Sequence, residues 1–159
     1  MKLSKFKDRK AISPVIATVI LVAVAITIAV AVAYWMGGIA SQYTKFEKVE
    51  IQTGYSTKVG ADWTVTLELK NSGTADATLN RVFINDKPLL EANYGASAVV
   101  ADAVSTDIAY AGTTLTSGQP LTRHIWISGT YLTLSSGTTV SIKVHSAGGM
   151  DYIKLIELV

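Results

Sequence analysis

Hydrophobic and polar positions follow one pattern before residue 45 and another after it. Between Lys10 and Lys45 the chain has no charged residue, and Val15–Met36 is a run of 22 residues in which Thr18 and Thr27 are the only short polar side chains. As a helix this run would be about 33 Å long, enough to cross a hydrocarbon core of roughly 30 Å. A lone segment in lipid must satisfy its own backbone hydrogen bonds, so the run predicts a helix rather than a strand.

Both ends of the run fit a helix that crosses a membrane. Ser13 is a good N-cap, and Pro14 suits the first helical turn because its missing N–H is not needed there. Tyr34 and Trp35 fall where an interfacial aromatic belt lies. Five bases precede the run and balanced charges follow it. This asymmetry predicts a cytoplasmic N-terminus and an external C-terminal part.

Side chains within the run separate by size at four-residue spacing. The bulky row is Ile16, Ile20, Val24, Ile28 and Val32, and the small row is Ala25, Ala29, Ala33 and Gly37. Rows of small residues let helix backbones approach closely in a membrane. Two interpretations stay open: alanine is simply common in membrane helices, or this helix packs against copies of itself.

After about Glu47 the pattern changes to a period of two. In "DWTVTLELKNSG" the apolar Trp63, Val65, Leu67 and Leu69 alternate with Thr64, Thr66, Glu68 and Lys70. This alternation predicts a half-buried strand that ends at Asn-Ser-Gly. Further strands are predicted in "TLNRVFINDKPLLE", with a turn at Asn85-Asp86, in "RHIWISG", in "TYLTL", and in "TTVSIKVHSAGGMDYIKLIEL", with a turn at 146–149. Short strands separated by turns are typical of an antiparallel sandwich or small barrel.

The net charge of +2 conceals an uneven distribution. Residues 1–10 hold five bases and one acid, and the other residues hold nine bases and eleven acids. The N-terminal segment therefore has a charge of +4 and the remainder −2. The basic isoelectric point is no evidence for binding nucleic acid, and no nucleic-acid partner is required. The chain has no cysteine, so no disulfide stabilises it.

Candidate chemistry is sparse. His124 and His145 lie on different predicted strands, and the acids are scattered singly. No Gly-x-Ser-x-Gly, phosphate loop or dinucleotide turn occurs. We therefore expect no enzyme activity, no cofactor and no metal. Residues 92–142 contain three charged residues and 16 Ser or Thr. They indicate a β region with polar turns, or a surface that contacts neighbouring subunits or carries O-linked sugars.

Three processes could act on the junction "DRKAISPVIATVI". A secretory signal could be cut at Ala29-Val30-Ala31 or Ala31-Val32-Ala33, although the apolar run exceeds the usual length of about 7–15 residues. An uncleaved helix could anchor the chain in a membrane. A third machinery could cut before the run and retain the helix.

The stretch "RKAISPVIATVILVAVAITIAVAVAYWMGGI" resembles the N-terminal segment of archaeal type IV pilins. The resemblance extends from about Lys5 to Gly38, and the Ser-Pro-Val-Ile sequence beginning at Ser13 matches the family pattern. Bacterial type IV pilins usually have Phe at the new N-terminus and Glu four residues later, whereas this chain has Ala11 and Val15. Archaellin helices usually open with a Gly-rich sequence. The archaeal pilins are therefore the better match.

The resemblance implies a leader over residues 1–10 and a membrane and filament-core helix over 11–46. The alternating pattern predicts an external antiparallel β-rich head over 47–159, so the predicted class is α+β. The head is a sandwich or has an immunoglobulin-like fold, which archaeal pilin heads sometimes have. A prepilin peptidase would cut between Lys10 and Ala11, removing the leader charges of Lys5, Lys7, Arg9 and Lys10. Removal matters because a buried unpaired charge costs several kcal/mol.

The implied function is that of a structural subunit in an extracellular filament, used for adhesion. The implied partners are copies of the chain, the prepilin peptidase, the assembly platform and, before assembly, the membrane. The alternative is a membrane-anchored surface binding module that does not polymerise.

Overall fold

One long helix and nine strands are the main elements of the described residues, 14–131 and 134–159, of a computed structural model. The helix belongs to a unit that ends at Thr44, and the strands belong to a second unit, Lys45–Val159. The predicted α+β class, with a long N-terminal apolar helix followed by antiparallel sheets, is confirmed.

Helix α1 runs from Pro14 to Tyr43, 30 residues, and is therefore about 45 Å long. It continues through Gly37 and Gly38, beyond the apolar run. At its end the Thr44 N–H donates to the Ala40 carbonyl at 3.1 Å.

The strands form two sheets. In chain order they are β1 (Val49–Val59), β2 (Asp62–Asn71), β3 (Ala77–Ile84), β4 (Lys87–Pro88), β5 (Val104–Thr106), β6 (Thr113–Leu115), β7 (Pro120–Ile127), β8 (Thr139–Ser146) and β9 (Asp151–Glu157), with a 3₁₀ turn at Glu91–Asn93. The first sheet has the order β1-β2-β7-β5, and the second has β4-β3-β8-β9 with β6 also paired to β3. The pairings between these strands are antiparallel.

The inward faces of both sheets form one hydrophobic core. As the alternation predicts, Trp63, Val65, Leu67 and Leu69 of β2 are buried. From the second sheet the buried residues include Val82 and Ile84 of β3 and Val140, Ile142 and Val144 of β8. Burial of each such side chain is worth about 1.5–3 kcal/mol. The shared core makes the head a sandwich.

Local polar contacts explain where the strands end. Asn71, fully buried at the end of β2, donates from Nδ2 to the Ala75 and Leu115 carbonyls at 2.7 and 3.0 Å. Its Oδ1 accepts the Gly73 N–H at 2.9 Å. The predicted turn at Asn85-Asp86 is confirmed, with positive φ at both residues (48° and 63°), as a two-residue type I′ hairpin requires. The predicted turn between β8 and β9 is also confirmed.

The strand predicted in "TYLTL" is wrong for the residues of that segment that the structure describes. Thr130, Tyr131 and Leu134 lie outside any strand. The Tyr131 N–H donates to the Ser128 carbonyl at 2.9 Å, so the backbone closes a local turn instead of joining a ladder. Tyr131 and Leu134 nevertheless pack against the core, which accounts for the apolar spacing. Residues 132–133 of this segment lie outside the described residues.

Residues 46–48, at the start of the second unit, are hydrogen-bonded to the rest of that unit. The Phe46 carbonyl accepts the N–H groups of Thr74 and Ala75 at 2.9 and 3.0 Å, and the Lys48 carbonyl accepts that of Ser72 at 2.7 Å. The Glu47 carboxylate accepts the Ser146 hydroxyl. Residues 46–48 are thus held to the head by both main-chain and side-chain bonds.

Candidate assembly surface

The apolar side chains of α1 are not buried by the part of the chain that the structure describes. None of its described residues is buried, and the Val, Ile and Leu side chains from Val15 to Val32 are 48–69% exposed. By length and composition α1 is the one described helix able to cross a membrane. Its apolar character extends over every face, unlike a surface helix with a single apolar stripe. The helix is therefore suited to an apolar environment that surrounds it completely.

Hydroxyl groups along α1 are satisfied by the helix itself. Thr18 Oγ1 donates to the Val15 carbonyl and Thr27 Oγ1 to the Ala23 carbonyl, each at 2.8 Å. Ser41 Oγ donates to the Gly38 carbonyl at the same distance. An unsatisfied polar group in hydrocarbon costs several kcal/mol. These bonds therefore let the helix enter lipid or a protein bundle without further polar partners.

The small and bulky rows predicted from sequence lie on an unbroken helix. Ala25, Ala29, Ala33 and Gly37 follow an i, i+4 row, and a Cβ built on Gly37 would meet nothing within 4 Å. Rows of this kind are the ridges and grooves through which helices pack. The second row, Ile16 to Val32, is exposed as well. Both rows are open to contact, and their use in packing stays a prediction.

The predicted aromatic belt lies in the last third of α1. Tyr34 is 87% exposed and Trp35 65% exposed. Together with Gly38, Ile39 and Gln42 they line a shallow open groove on the helix surface. Pro14 is the first described residue of the helix. The leader charges Lys5, Lys7, Arg9 and Lys10, the cleavage position Lys10–Ala11 and the N-cap Ser13 all lie outside the described residues.

The two histidines each pair with one carboxylate, on different sheets. His124 Nδ1 lies 3.2 Å from Asp107 Oδ2, and His145 Nδ1 lies 2.6 Å from Asp151 Oδ1. The His124 N–H of the backbone also donates to Asp107 Oδ1 at 2.9 Å. Within residues 14–131 and 134–159, no group of three or more His, Cys, Asp or Glu could hold a metal ion. The pairs hold neighbouring strands and loops together.

The head has an apolar surface that the sequence analysis did not identify. Six large apolar side chains are exposed on β1, on β9 or directly beside them, and we call them the β1–β9 seam: Tyr55, Val59, Met150, Ile153, Leu155 and Val159. A signal for it exists in "DYIKLIELV", where apolar residues occupy both faces of a strand. The sequence does not show that β1 and β9 are edge strands of their sheets, which is what brings them together.

Comparisons with known proteins give no family. No protein-family model and no curated protein matches the chain. Among solved structures, the archaellum periplasmic stator protein FlaG from Sulfolobus acidocaldarius is similar with a TM-score of 0.43 and 17% identity, over 69% of this chain and 99% of that one. The copper-bound PCuAC domain from PmoF2 is similar with a TM-score of 0.46 and 10% identity, over 71% and 97% of the two chains.

A flagellar-like filament, Iho670, covers more of the chain. It is similar over 92% of this chain and 98% of that one, with 12% identity and a TM-score of 0.35. At TM-scores below 0.5 these similarities establish no shared activity, ligand or partner.

Proposed function

We propose that this chain is the subunit of an extracellular filament of the archaeal type IV pilin class, with α1 helices packed in the core and β heads outside. The observation that carries the proposal is the surface of α1, apolar on all sides and unburied by its own chain. Leaving one Val, Leu or Ile side chain in water instead of burying it costs about 1.5–3 kcal/mol. A helix with eleven such residues from Val15 to Val32 needs a permanent cover.

Two environments would bury the surface of α1, one before assembly and one after it. Lipid covers the helix in the precursor, whose N-terminus we place in the cytoplasm, and neighbouring helices cover it after assembly. The hydroxyl bonds within α1 suit both, because neither environment has to supply a polar partner. Helix association in lipid depends on close packing rather than on expelling water. The row from Ala25 to Gly37 supplies the small side chains for that packing.

Processing belongs to the same proposal. Cleavage by a prepilin peptidase between Lys10 and Ala11 would remove a +4 segment that opposes entry into an apolar core. The assembly platform is the further partner that this route requires. Use in adhesion, and O-linked glycans on the Ser- and Thr-rich region, stay predictions.

The first experiment is N-terminal sequencing, with intact mass, of chains sheared from the cell surface. A start at Ala11 in polymeric sheared material is the expected result. A chain that starts near Ala33–Gly38 and is released into the medium would instead identify a secreted β domain. An uncut chain confined to membranes would contradict the filament proposal.

A second candidate is a membrane-anchored surface module. It is favoured by the single span and by a head whose core lies entirely within Lys45–Val159. In that case α1 serves as an anchor and the chain remains monomeric. The N-terminal measurement separates the two candidates, because an anchor retains the residues before Ala11.

A variant pair tests whether the small row packs. Ala29→Leu places a large side chain in the row, and we expect a several-fold loss of sheared filaments with membrane insertion unchanged. Ile28→Leu is the matched control, because it conserves volume on the bulky row. Unchanged filaments in Ala29→Leu would show that the small row makes no contact.

A further inference from the structure

Exposed apolar side chains of the head are concentrated in one place. The described residues of Lys45–Val159 include nine exposed large apolar side chains, and six of them form the β1–β9 seam. Ile153 and Leu155 are 60% and 67% exposed, and Tyr55 is 55% exposed. Single exposed apolar residues are normal, whereas a larger exposed apolar surface marks an interaction site; here the six residues follow two strands that contact each other.

The seam exists because the free edges of the two sheets meet. Strands β1 and β9 are the terminal strands of their sheets. Ser56 Oγ donates to the Glu157 carbonyl at 2.8 Å and accepts the Val159 N–H at 3.0 Å. Gly54 lies so close to Ile156 that a Cβ there would be 2.9 Å from Ile156 Cδ1. The contacts advance together along both strands, so β1 and β9 run side by side.

Strand β9 departs from the usual pattern of a sheet with one solvent-exposed face, in which inward residues are apolar and outward residues are polar. Ile156 and Leu158 point inward and are 4% and 0% exposed. The outward positions of such a strand are normally polar. Its neighbour β8 follows that rule with Ser141, Lys143 and His145, which are only partly buried. On β9 the corresponding outward positions, paired with Ser141 and Lys143, are Leu155 and Ile153.

The charges beside the seam indicate what covers it. They have both signs: Glu50, Asp151 and Glu157 are acidic, and Lys58, Lys143 and Lys154 are basic. Nucleic acid or an anionic lipid surface would need an excess of positive charge, which is absent from this set. A strip with both signs can pair with a copy of itself, acid against base, while the apolar residues meet.

We propose that the β1–β9 seam is the contact between the heads of neighbouring copies of this chain. This inference rests on the proposed filament function, which brings many heads close together. Copies joined through their helices hold their heads at a high effective concentration, so a modest apolar patch is enough to join them. The seam thus forms an outer layer of contacts in addition to those of the helices.

A labelling experiment tests the contact directly, because the chain has no cysteine of its own. Leu155→Cys, labelled with a maleimide-benzophenone and irradiated in assembled material, should give chain–chain cross-links. Leu90→Cys is the matched control, since Leu90 is 73% exposed and lies away from the seam. We expect at least a five-fold higher cross-linked fraction from position 155.

Other outcomes of the labelling overturn the inference. Equal cross-linking from both positions, or none from position 155 in intact filaments, would exclude the seam but leave the filament proposal standing. Adducts of lipid rather than protein would assign the seam to a membrane surface. If the unlabelled parent chain never assembles, the filament proposal fails and the head contact fails with it.

A second variant pair tests the energetic role of the seam. Leu155→Lys should lower the yield of sheared filaments several-fold while leaving the thermal unfolding of the head unchanged, because the side chain is exposed. Leu90→Lys adds the same charge off the seam and should leave the yield as in the parent. Equal yields in the two variants would contradict the inference.

Discussion

The two units of this chain use apolar residues in opposite ways. In the head, alternating side chains from two sheets bury one another, and Leu67, Ile125 and Ile142 have no exposed surface. In α1, residues of the same types are not buried by any of the described residues. The head is therefore stabilised by contacts among its own residues, whereas burial of the apolar side chains of α1 depends on the surroundings of the helix.

This difference separates the stability of the head from the surroundings of the helix. Because the core of the head lies within Lys45–Val159, folding of the head does not require contacts from α1. The helical unit ends at Thr44, and from Phe46 onward the chain is hydrogen-bonded to the rest of the head, through Phe46, Glu47 and Lys48. Substitutions in one unit should therefore have little effect on the other.

The largest effect is expected from removing a buried side chain. Leu67→Ala in the centre of β2 should lower the free energy of unfolding of the head by about 2–5 kcal/mol, because it removes buried contacts and leaves a cavity. The matched change Leu21→Ala, at a helix position 69% exposed, should leave head unfolding unchanged. Thermal and urea unfolding in detergent measure both. A similar loss in the two variants would show that the units are energetically coupled.

A charged residue in α1 tests whether the helix needs an apolar environment. Val24→Lys, near the middle of the apolar run, should disfavour membrane insertion by about 3 kcal/mol, the cost of a lysine at the centre of a membrane helix. Unfolding of the head should not change. Partition between membrane and soluble fractions gives the effect, with Val24→Leu as the control. An insertion free energy that the lysine leaves unchanged would mean that α1 is not the spanning segment.

The sequence predicts those features that depend on neighbouring residues. Hydropathy alone predicts α1, alternation predicts the buried face of β2, and Asn85-Asp86 predicts a hairpin turn because both residue types tolerate positive φ. In "TYLTL" the same reasoning fails, since Tyr131 and Leu134 reach the core from a turn rather than from a strand.

The seam depends on residues far apart in the chain. Ser56 and Glu157 are joined across 101 positions, and nothing local in either strand indicates that each lies at a sheet edge. Strand order has to be known before Ile153 and Leu155 are recognised as part of a surface. The leader and its cleavage position rest on resemblance alone, because they lie outside the described residues.

The smallest expected effect concerns one polar contact inside the head. Tyr94 Oη accepts the Val82 N–H at 2.8 Å, and its hydroxyl lies 3.3 Å from the Val82 carbonyl. Tyr94→Phe keeps the edge-to-face contact with Tyr110 but leaves the Val82 N–H without this acceptor. We expect the head to lose about 1–2 kcal/mol of stability at pH 8, measured by urea unfolding.

The difference in stability between the parent and Tyr94→Phe should depend on pH. Burial raises the pKa of Tyr94 above its usual value of 10.0. Because the fold favours the neutral phenol, its contribution is complete below pH 10 and declines as the pH rises through the higher pKa of the folded state. The difference in stability between the parent and Tyr94→Phe should therefore be constant from pH 7 to about pH 9 and shrink in more alkaline solution. A difference that stays constant through pH 11 would show that the fold does not favour the neutral form of the phenol.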